Sequence, residues 1–168
     1  AALLRGLVLT REGTALAGVT ISVLGSPELG ATTTQSNGLF DMVVNGGGSL
    51  TVIYAKAGYI TVHRRVEVPW QGYRGLPDVV MIPYDVATSI DLAELALEDT
   101  VGVVRGSVVN DPGPRRQTLL FMPGTEAWFQ FPDAPPEEVE ESLTISATEF
   151  TVGGTGPAAM PADLPPSS

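Results

Sequence analysis

The chain has 168 residues, of which 43% are hydrophobic and 17% are charged, so it is globular and can bury a core. Its net charge of −10 argues against nucleic acid, whose phosphates need a Lys/Arg stripe, and disfavours anionic membrane surfaces. The sequence has no cysteine, which excludes disulfides, thiol catalysis and Cys-ligated zinc.

The first half alternates apolar and polar residues in short runs, which predicts a succession of strands. Asn37-Gly38 supplies the positive φ angles of a tight hairpin, and the triplet Gly46–Gly48 predicts a second hairpin turn. Strands spaced by roughly 8–12 residues are typical of a β-sandwich, which we assign to residues 1–87. The predicted strands are Leu3–Thr10, Val19–Gly25, Ala31–Gln35, Leu39–Val44, Ser49–Ala57, Tyr59–Val68 and Pro77–Tyr84.

Residues 88–100 are predicted to form a short helix capped by Ser89. An extended linker would tolerate the same residues, so that alternative stays open. Strand character returns over residues 101–155, which we predict to form a second, smaller β unit. Within it, Asp133–Glu141 is predicted to be an acidic, proline-bearing loop. Residues 156–168 are predicted to form an extended or disordered tail. The strands expected in this half are Val101–Asp111, Gln117–Gly124, Glu126–Pro132 and Ser142–Gly153.

The opening RGLVLTREGTALAGVTISVLG resembles the start of the carboxypeptidase-regulatory-like, transthyretin-like fold. The typical pattern of that family is G-x-V-x-D-x-x-G-x-P-L-x-G-V-x-V, and Ala15 stands here in place of the usual proline. The family's next signature, T-D-x-x-G-x-F, is matched by TQSNGLF at Thr34–Phe40. The positions that fill the first pattern are Gly6, Val8, Gly13, Leu16, Gly18, Val19 and Val23.

The continuation to Pro69-Trp70 is similar to the plug-like β domain that precedes the YD-repeat shell in teneurins and bacterial Rhs-type proteins. Phe40-Asp41, Val44–Gly47 and Ser49–Thr51 carry this likeness, which covers about half the chain. The second half resembles a segment that follows this domain in large bacterial Rhs/YD-repeat proteins. The resemblance implies a bacterial protein that is secreted or displayed on the cell surface, and a fragment that helps to close one end of a large β-barrel cage.

The sequence offers few residues for chemistry. His63 is the only histidine, and its alternation with Arg65 and Glu67 predicts a solvated strand residue. The acidic run Glu137–Glu141 lacks the alternating carboxylates and turn glycine of a calcium loop. No G-x-S-x-G elbow is present, so we predict no enzyme activity, no metal site and no cofactor.

The aromatic residues are more informative. Trp70, Tyr73 and Arg74 fall in one glycine- and proline-bounded loop, and these residue types are enriched at interface hot spots. We therefore predict them as contact residues, although Trp70 would equally suit a cap on the end of the sandwich core. Trp128 lies between strand-like residues and is predicted to be part of a core.

Two functions fit these features. The first is a non-catalytic structural or interaction module of a large secreted or surface Rhs/YD-repeat protein, packing against the shell or neighbouring domains of the same parent. The alternative is an independent carbohydrate-binding or adhesin-type β-sandwich, because exposed aromatic loops on such folds suit sugar stacking. Neither function involves nucleic acid, in keeping with the negative net charge. Neither involves insertion into a membrane, since no apolar run reaches the roughly 18 residues of a spanning helix. The two ends, AALLRG and LPPSS, suggest that the chain is cut from a longer protein.

Overall fold

A computed structural model describes residues 1–97, 99–110, 113–139, 141–150 and 156–162. In chain order the strands are β1 (Ala2–Leu9), β2 (Thr20–Val23), β3 (Ala31–Thr33), β4 (Leu39–Val44), β5 (Gly48–Ala55), β6 (Val62–Val68), β7 (Gly72–Gly75), β8 (Val79–Val80), β9 (Ala87–Asp91), β10 (Gly102–Arg105), β11 (Thr118–Phe121), β12 (Trp128–Phe131), β13 (Ala134–Glu138) and β14 (Ser142–Ser146). The helical segments are a 3-10 turn at Pro27–Leu29, α1 (Leu92–Leu95) and α2 (Gly156–Ala159).

The chain divides into two units, of which the first comprises Ala1–Pro83 and the returning segment Phe150–Ser168, and the second is Tyr84–Glu149. The structure therefore divides the chain after Pro83, whereas the sequence places a boundary at residue 87 and extends the second unit to residue 155. The predicted fold class is confirmed, because both units are built from strands.

The first unit is a sandwich of two sheets. One sheet has the order β4-β1-β7, with β8 also paired to β1, and the other has the order β3-β2-β5-β6. Strand alternation places one set of apolar side chains on the facing surfaces, where they form the core. The buried residues of this core include Val19, Ile21, Val23, Phe40, Met42, Val44, Val52 and Tyr54, and the partly buried Leu50 packs against them.

Two turns that the sequence predicts as hairpins connect different sheets instead, and that prediction is wrong. Gly38 turns the chain with φ 77°, and its N–H donates to the carbonyl oxygen of Gln35 at 2.9 Å. However, β3 before this turn and β4 after it belong to opposite sheets. The glycine triplet likewise leads from β4 to β5 across the sandwich. Turn residues are a local signal, whereas strand pairing depends on which faces can be buried together.

Residues 156–162 lie against strand β6 of the first unit. Arg64 in β6 donates to the carbonyl oxygens of Ala158 at 3.0 Å and Met160 at 2.6 Å, next to the short helix α2. The predicted extended or disordered tail is therefore wrong at α2, and residues 163–168 lie outside the described part of the chain. No local pattern reveals this docking, because the anchoring side chain is distant in sequence.

The second unit is made of the strand pairs β9–β14, β10–β11 and β12–β13. Its core cluster consists of Ile90, Leu92, Leu95, Val104 and Ala147. Between residues 88 and 100 the structure has a strand and one helical turn, and the cap is Asp91 rather than Ser89. The Asp91 carboxylate accepts from the main-chain N–H groups of Ala93 at 2.8 Å and Glu94 at 3.2 Å. Ser89 instead pairs with Thr144 in the β9–β14 ladder, which overrides the helical spacing of the sequence.

Two predictions about the end of this unit are wrong. The segment predicted as an acidic loop contains strand β13, which pairs with β12 across a tight connection, and Glu140 lies outside the described residues. The two prolines of β13 lie at the register shift between Phe129 and Phe131, where the hydrogen-bond ladder is interrupted and their missing N–H groups are tolerated. Trp128 is not a core residue, since its side chain is 52% exposed.

A buried hydroxyl joins two loops of the first unit. Thr34 Oγ1 accepts from the main-chain N–H of Val19 at 2.9 Å and donates to the carbonyl oxygen of Leu16 at 2.7 Å. Thr34 is almost fully buried, so neither main-chain group has access to water as a replacement partner. The hydroxyl therefore holds the segment before β2 against the segment after β3.

We predict that Thr34→Val destabilises the first unit by about 1–3 kcal/mol, because it leaves a buried donor and acceptor unsatisfied while preserving the side-chain shape. Urea unfolding, together with hydrogen exchange of the core amides in β2, measures the change in the free energy of unfolding. The matched control is Thr33→Val, which alters an exposed threonine of β3 and should stay within about 0.5 kcal/mol of the wild type. Equal effects of the two substitutions would contradict the assigned role of the Thr34 hydroxyl.

Candidate interaction surface

The segment between β6 and β8 holds the three residues predicted to make contacts. It contains strand β7, which pairs in parallel with β1 so that Tyr73 lies opposite Leu3 and Arg74 opposite Leu4. All three predicted residues are exposed, but alternation along β7 places Tyr73 and Arg74 on opposite faces of the sheet. Tyr73 shares the outer face with Leu3, while Arg74 lies on the side of the buried Leu4.

Trp70 lies against the connection between β4 and β5. A Cβ on Gly47, which has φ 94°, would come within 2.8 Å of Cε3 of the Trp70 ring, and a Cβ on Gly46 would overlap the carbonyl oxygen of Pro69. These two glycines therefore permit the close approach of the indole. The ring is nevertheless 74% exposed, so Trp70 does not cap the core and instead presents an apolar surface to solvent.

The outer face of the first sheet is largely apolar. The strand register places Val43, Leu3 and Tyr73 in one row across β4, β1 and β7. Four residues further along β1, Leu7 lies opposite Leu39. We name this set the outer apolar face; Val43 is its most exposed aliphatic member, at 63%.

One ion pair lies within the outer apolar face, between its two apolar rows. Arg5 Nε donates to Asp41 Oδ1 at 2.6 Å, and Arg5 Nη2 donates to Asp41 Oδ2 at 2.8 Å. This bidentate geometry is the strongest arrangement of a guanidinium and a carboxylate. The hydrogen bond from Arg5, followed by its charge, lowers the pKa of Asp41 below its usual range. The pair supplies the face with a fixed polar point among its apolar side chains.

Sequence analysis missed Leu3, Leu7, Leu39 and Val43 as surface residues. The signal was present, because ALLRGLVL in β1 and LFDMVV in β4 are nearly continuous apolar runs rather than strict alternations. Such runs are typical of strands that are covered on both faces. In the described part of the chain the inner faces of β1 and β4 are buried, whereas on the outer face Leu39 and Val43 are exposed and Leu3 and Leu7 are half-buried.

The remaining candidates offer no reactive site. His63 has an exposed side chain in β6, and its main-chain N–H donates to the carbonyl oxygen of Pro161 at 2.8 Å. Within the described ranges, no three His, Cys, Asp or Glu residues are grouped to hold a metal ion. The helices in the same ranges are all too short or too polar to span a bilayer.

A cavity of about 450 Å³ lies in the first unit, lined by Tyr54, Arg64, Leu76, Asp78 and Ala158 among others. Burial raises the pKa of Tyr54, so its hydroxyl stays protonated at neutral pH. Asp78 is the only carboxylate among the described lining residues, and no histidine is among them. The cavity therefore supplies no nucleophile and base in partnership.

The two facing sheets and the sequence of strands define the first unit as a transthyretin-like β-sandwich. Residues 1–81 match the family model described as the teneurin TTR-like domain. Over these residues the chain is similar to the transthyretin-like domain of teneurins, which confirms the resemblance found in the sequence.

Curated relatives agree with the family match. Mouse teneurin-3 is 41% identical over 81 residues, which cover 48% of this chain and 3% of that protein. Chicken teneurin-1 is 35% identical over 127 residues, covering 71% of this chain and 4% of that protein. The chain thus spans only about 3–4% of the length of these relatives, which are animal proteins. A solved type II cohesin–X-dockerin complex from Acetivibrio cellulolyticus aligns at 24% identity with a TM-score of 0.43, over 52% of this chain and 62% of that chain.

We predict a pH-dependent contribution of the Arg5–Asp41 pair to stability. Because the pKa of Asp41 is lowered on folding, its contribution is present above the unfolded-state pKa of about 3.9 and is lost as the pH falls through the lower, folded-state pKa. Asp41→Asn should therefore be less stable than the wild type at pH 6, and the difference should vanish in strong acid. Urea midpoints measured from pH 2 to 7 give the comparison.

Arg5→Met provides the control, since it removes the donor and leaves the carboxylate. It should reduce the same pH dependence to that of an unpaired aspartate. An acid limb that is identical in the wild type and in both variants would rule out this contribution of the pair.

Proposed function

We propose that the first unit is a non-catalytic structural module of a large cell-surface protein, and that its outer apolar face packs against a neighbouring domain of the same parent chain. The teneurin-type family match supports a module of a large protein, since the matched relatives are many times longer than this chain. The finer expectations, a bacterial source, a YD-repeat shell as the neighbour and a secreted parent, stay predictions that rest on the sequence resemblance.

The observation that carries this proposal is the apolar composition of both faces of β1 and β4. The inner faces are buried in the sandwich, and the outer row Val43–Leu3–Tyr73 offers a second surface of the same character. Apolar surface that remains in water carries a free-energy cost of about 25 cal/mol per Å², which a packed neighbour removes. Exposed apolar patches of this kind mark interaction sites on soluble domains.

The fixed Arg5–Asp41 pair makes such packing selective. A bidentate pair that is already formed can be covered without leaving an unpaired charge, whereas a partner that disturbed it would bury one. Tyr73 is the aromatic member of this face and is of a residue type enriched at interface hot spots. Arg74 is on the opposite face of β7, so we assign it no part in this packing.

The exposure of Trp70 favours the alternative of a glycan-binding domain. Its ring is held against Gly47 and still presents most of its surface, as sugar-stacking aromatics do. The two functions differ in which residue they require: packing depends on Val43 and its row, while glycan binding depends on the Trp70 ring.

The packing proposal predicts that Val43→Ser affects stability differently in the 168-residue chain and in the parent protein. In the 168-residue chain the substitution alters an exposed side chain and should change the free energy of unfolding by less than about 0.5 kcal/mol. In the parent protein with its flanking domains it should destabilise this domain by about 1–2 kcal/mol, because a buried methyl pair is lost. Hydrogen exchange of β1 amides in both proteins measures the two effects.

The control is Val86→Ser, which alters an exposed valine of the second unit and should have no effect specific to the parent. If Val43→Ser is also silent in the parent, the packing proposal fails. A glycan array then decides the alternative: specific binding by the wild type that is lost in Trp70→Ala would support a carbohydrate-binding domain.

A further inference from the structure

The β12–β13 hairpin of the second unit presents aromatic side chains on both of its faces. Phe129 and Phe131 share one face, with ring centroids 6.3 Å apart, and Trp128 lies on the other. All three side chains are exposed to about half of their area: 52% for Trp128, 54% for Phe129 and 42% for Phe131. A two-stranded ribbon with this much exposed aromatic surface is marginal by itself and gains from a further strand.

Only one edge of this hairpin is suited to accept a strand. Pro135 and Pro136 in β13 have no N–H group, so this strand cannot offer a continuous ladder on its outer edge. Strand β12 contains no proline, and within the described part of the chain it pairs with β13 alone. Every second residue of β12 therefore directs its main-chain N–H and C=O away from β13, toward an edge that can take an added strand.

Each face of the hairpin sets an aromatic ring beside a carboxylate. Trp128 is paired with Glu138, and Phe129 is paired with Glu137. Side chains of directly opposed residues lie on the same face with Cβ atoms about 4.5–5.5 Å apart. A guanidinium can stack on such a ring while donating to the neighbouring carboxylate, which an ammonium does less well because it is compact and strongly hydrated.

The charge of this part of the sequence selects the sign of the partner. From Gln117 to the end of the chain there are eight acidic residues and no Lys, Arg or His. The hairpin therefore repels anionic surfaces and attracts cationic ones, and the wild-type chain, with a net charge of −10, disfavours self-association.

We propose that the β12–β13 hairpin binds an extended, arginine-bearing segment of a protein partner. The segment adds to the open edge of β12 by main-chain hydrogen bonds. Its arginine side chains stack on Trp128 or Phe129 and pair with Glu138 or Glu137 on the same face. This binding mode is independent of the outer apolar face, because it uses residues of the second unit only.

The test uses the full chain carrying Trp70→Phe, so that tryptophan fluorescence reports on Trp128 alone. The probe is a fluorescein-labelled peptide in which Arg and Thr alternate over seven residues. We expect saturable binding by anisotropy, with a change in Trp128 emission and an affinity that falls as salt is raised. A peptide with N-methyl groups on alternate main-chain nitrogens should bind at least tenfold more weakly, because it cannot complete the strand ladder.

Side-chain variants test the ring and carboxylate contacts. Trp128→Ala and Glu138→Gln should each weaken binding about three- to tenfold. The matched controls Leu24→Ala and Glu67→Gln alter exposed residues of the first unit and should leave the affinity unchanged. The lysine analogue of the peptide should bind several-fold more weakly than the arginine peptide.

Four results would overturn the proposal. These are the absence of saturable binding, equal binding of the N-methylated peptide, equal binding of the lysine analogue, and equal effects of the hairpin and control variants. Sedimentation of the chain alone provides a further check. A dimer that is disrupted by Trp128→Ala would show that a second copy, rather than a basic partner, occupies the hairpin.

Discussion

The sandwich of the first unit depends on how closely Phe40 approaches β1. Strand β1 is the only link between the other members of its sheet: β4 pairs along one edge, and β7 and then β8 pair along the other. At the centre of this strand a Cβ on Gly6 would lie 2.6 Å from the Phe40 ring, so only glycine lets the ring pack there. Phe40 in turn meets Tyr54 of the opposite sheet edge to face, with ring centroids 5.8 Å apart. One glycine thus permits the aromatic contact that joins both sheets.

The same central position of β1 explains why its outer side chains matter. A strand flanked on both edges has no freedom to rotate its outer residues into the core, so Leu3 and Leu7 remain on the surface wherever Leu4 and Val8 are buried. The packing of the sandwich therefore also fixes the outer row of Val43, Leu3 and Tyr73. The Arg5–Asp41 pair interrupts this apolar surface, which limits indiscriminate association while leaving a surface that a complementary domain can cover.

Local features of the fold follow from the sequence, and long-range ones do not. The strand at Leu39–Val44 and the buried faces of β2 and β4 match the sequence expectations, because alternation depends only on neighbouring residues. Strand pairing, the parallel strand β7 and the docking of Ala158 on Arg64 depend on contacts between distant residues, which periodicity does not encode. The site shows the same division. Trp70, Tyr73 and Arg74 are exposed and their contact role stays a prediction, whereas the register of β7 reveals that Tyr73 and Arg74 lie on opposite faces of the sheet. Trp128 was misassigned because a strand-like context does not distinguish a core strand from an open edge.

The two candidate surfaces differ in chemistry, and this difference has a physical consequence for recognition. The outer apolar face contains one neutralised ion pair, so its association depends mainly on apolar area and responds weakly to salt. The β12–β13 hairpin lies in a stretch without a basic residue, so its association depends on charge and weakens as salt screens it. Because all nine Lys and Arg residues lie before Gln117, the chain carries its negative excess almost entirely in its last third. An apolar partner suits the outer apolar face, and a basic partner suits the hairpin. Different partners can therefore bind the two surfaces.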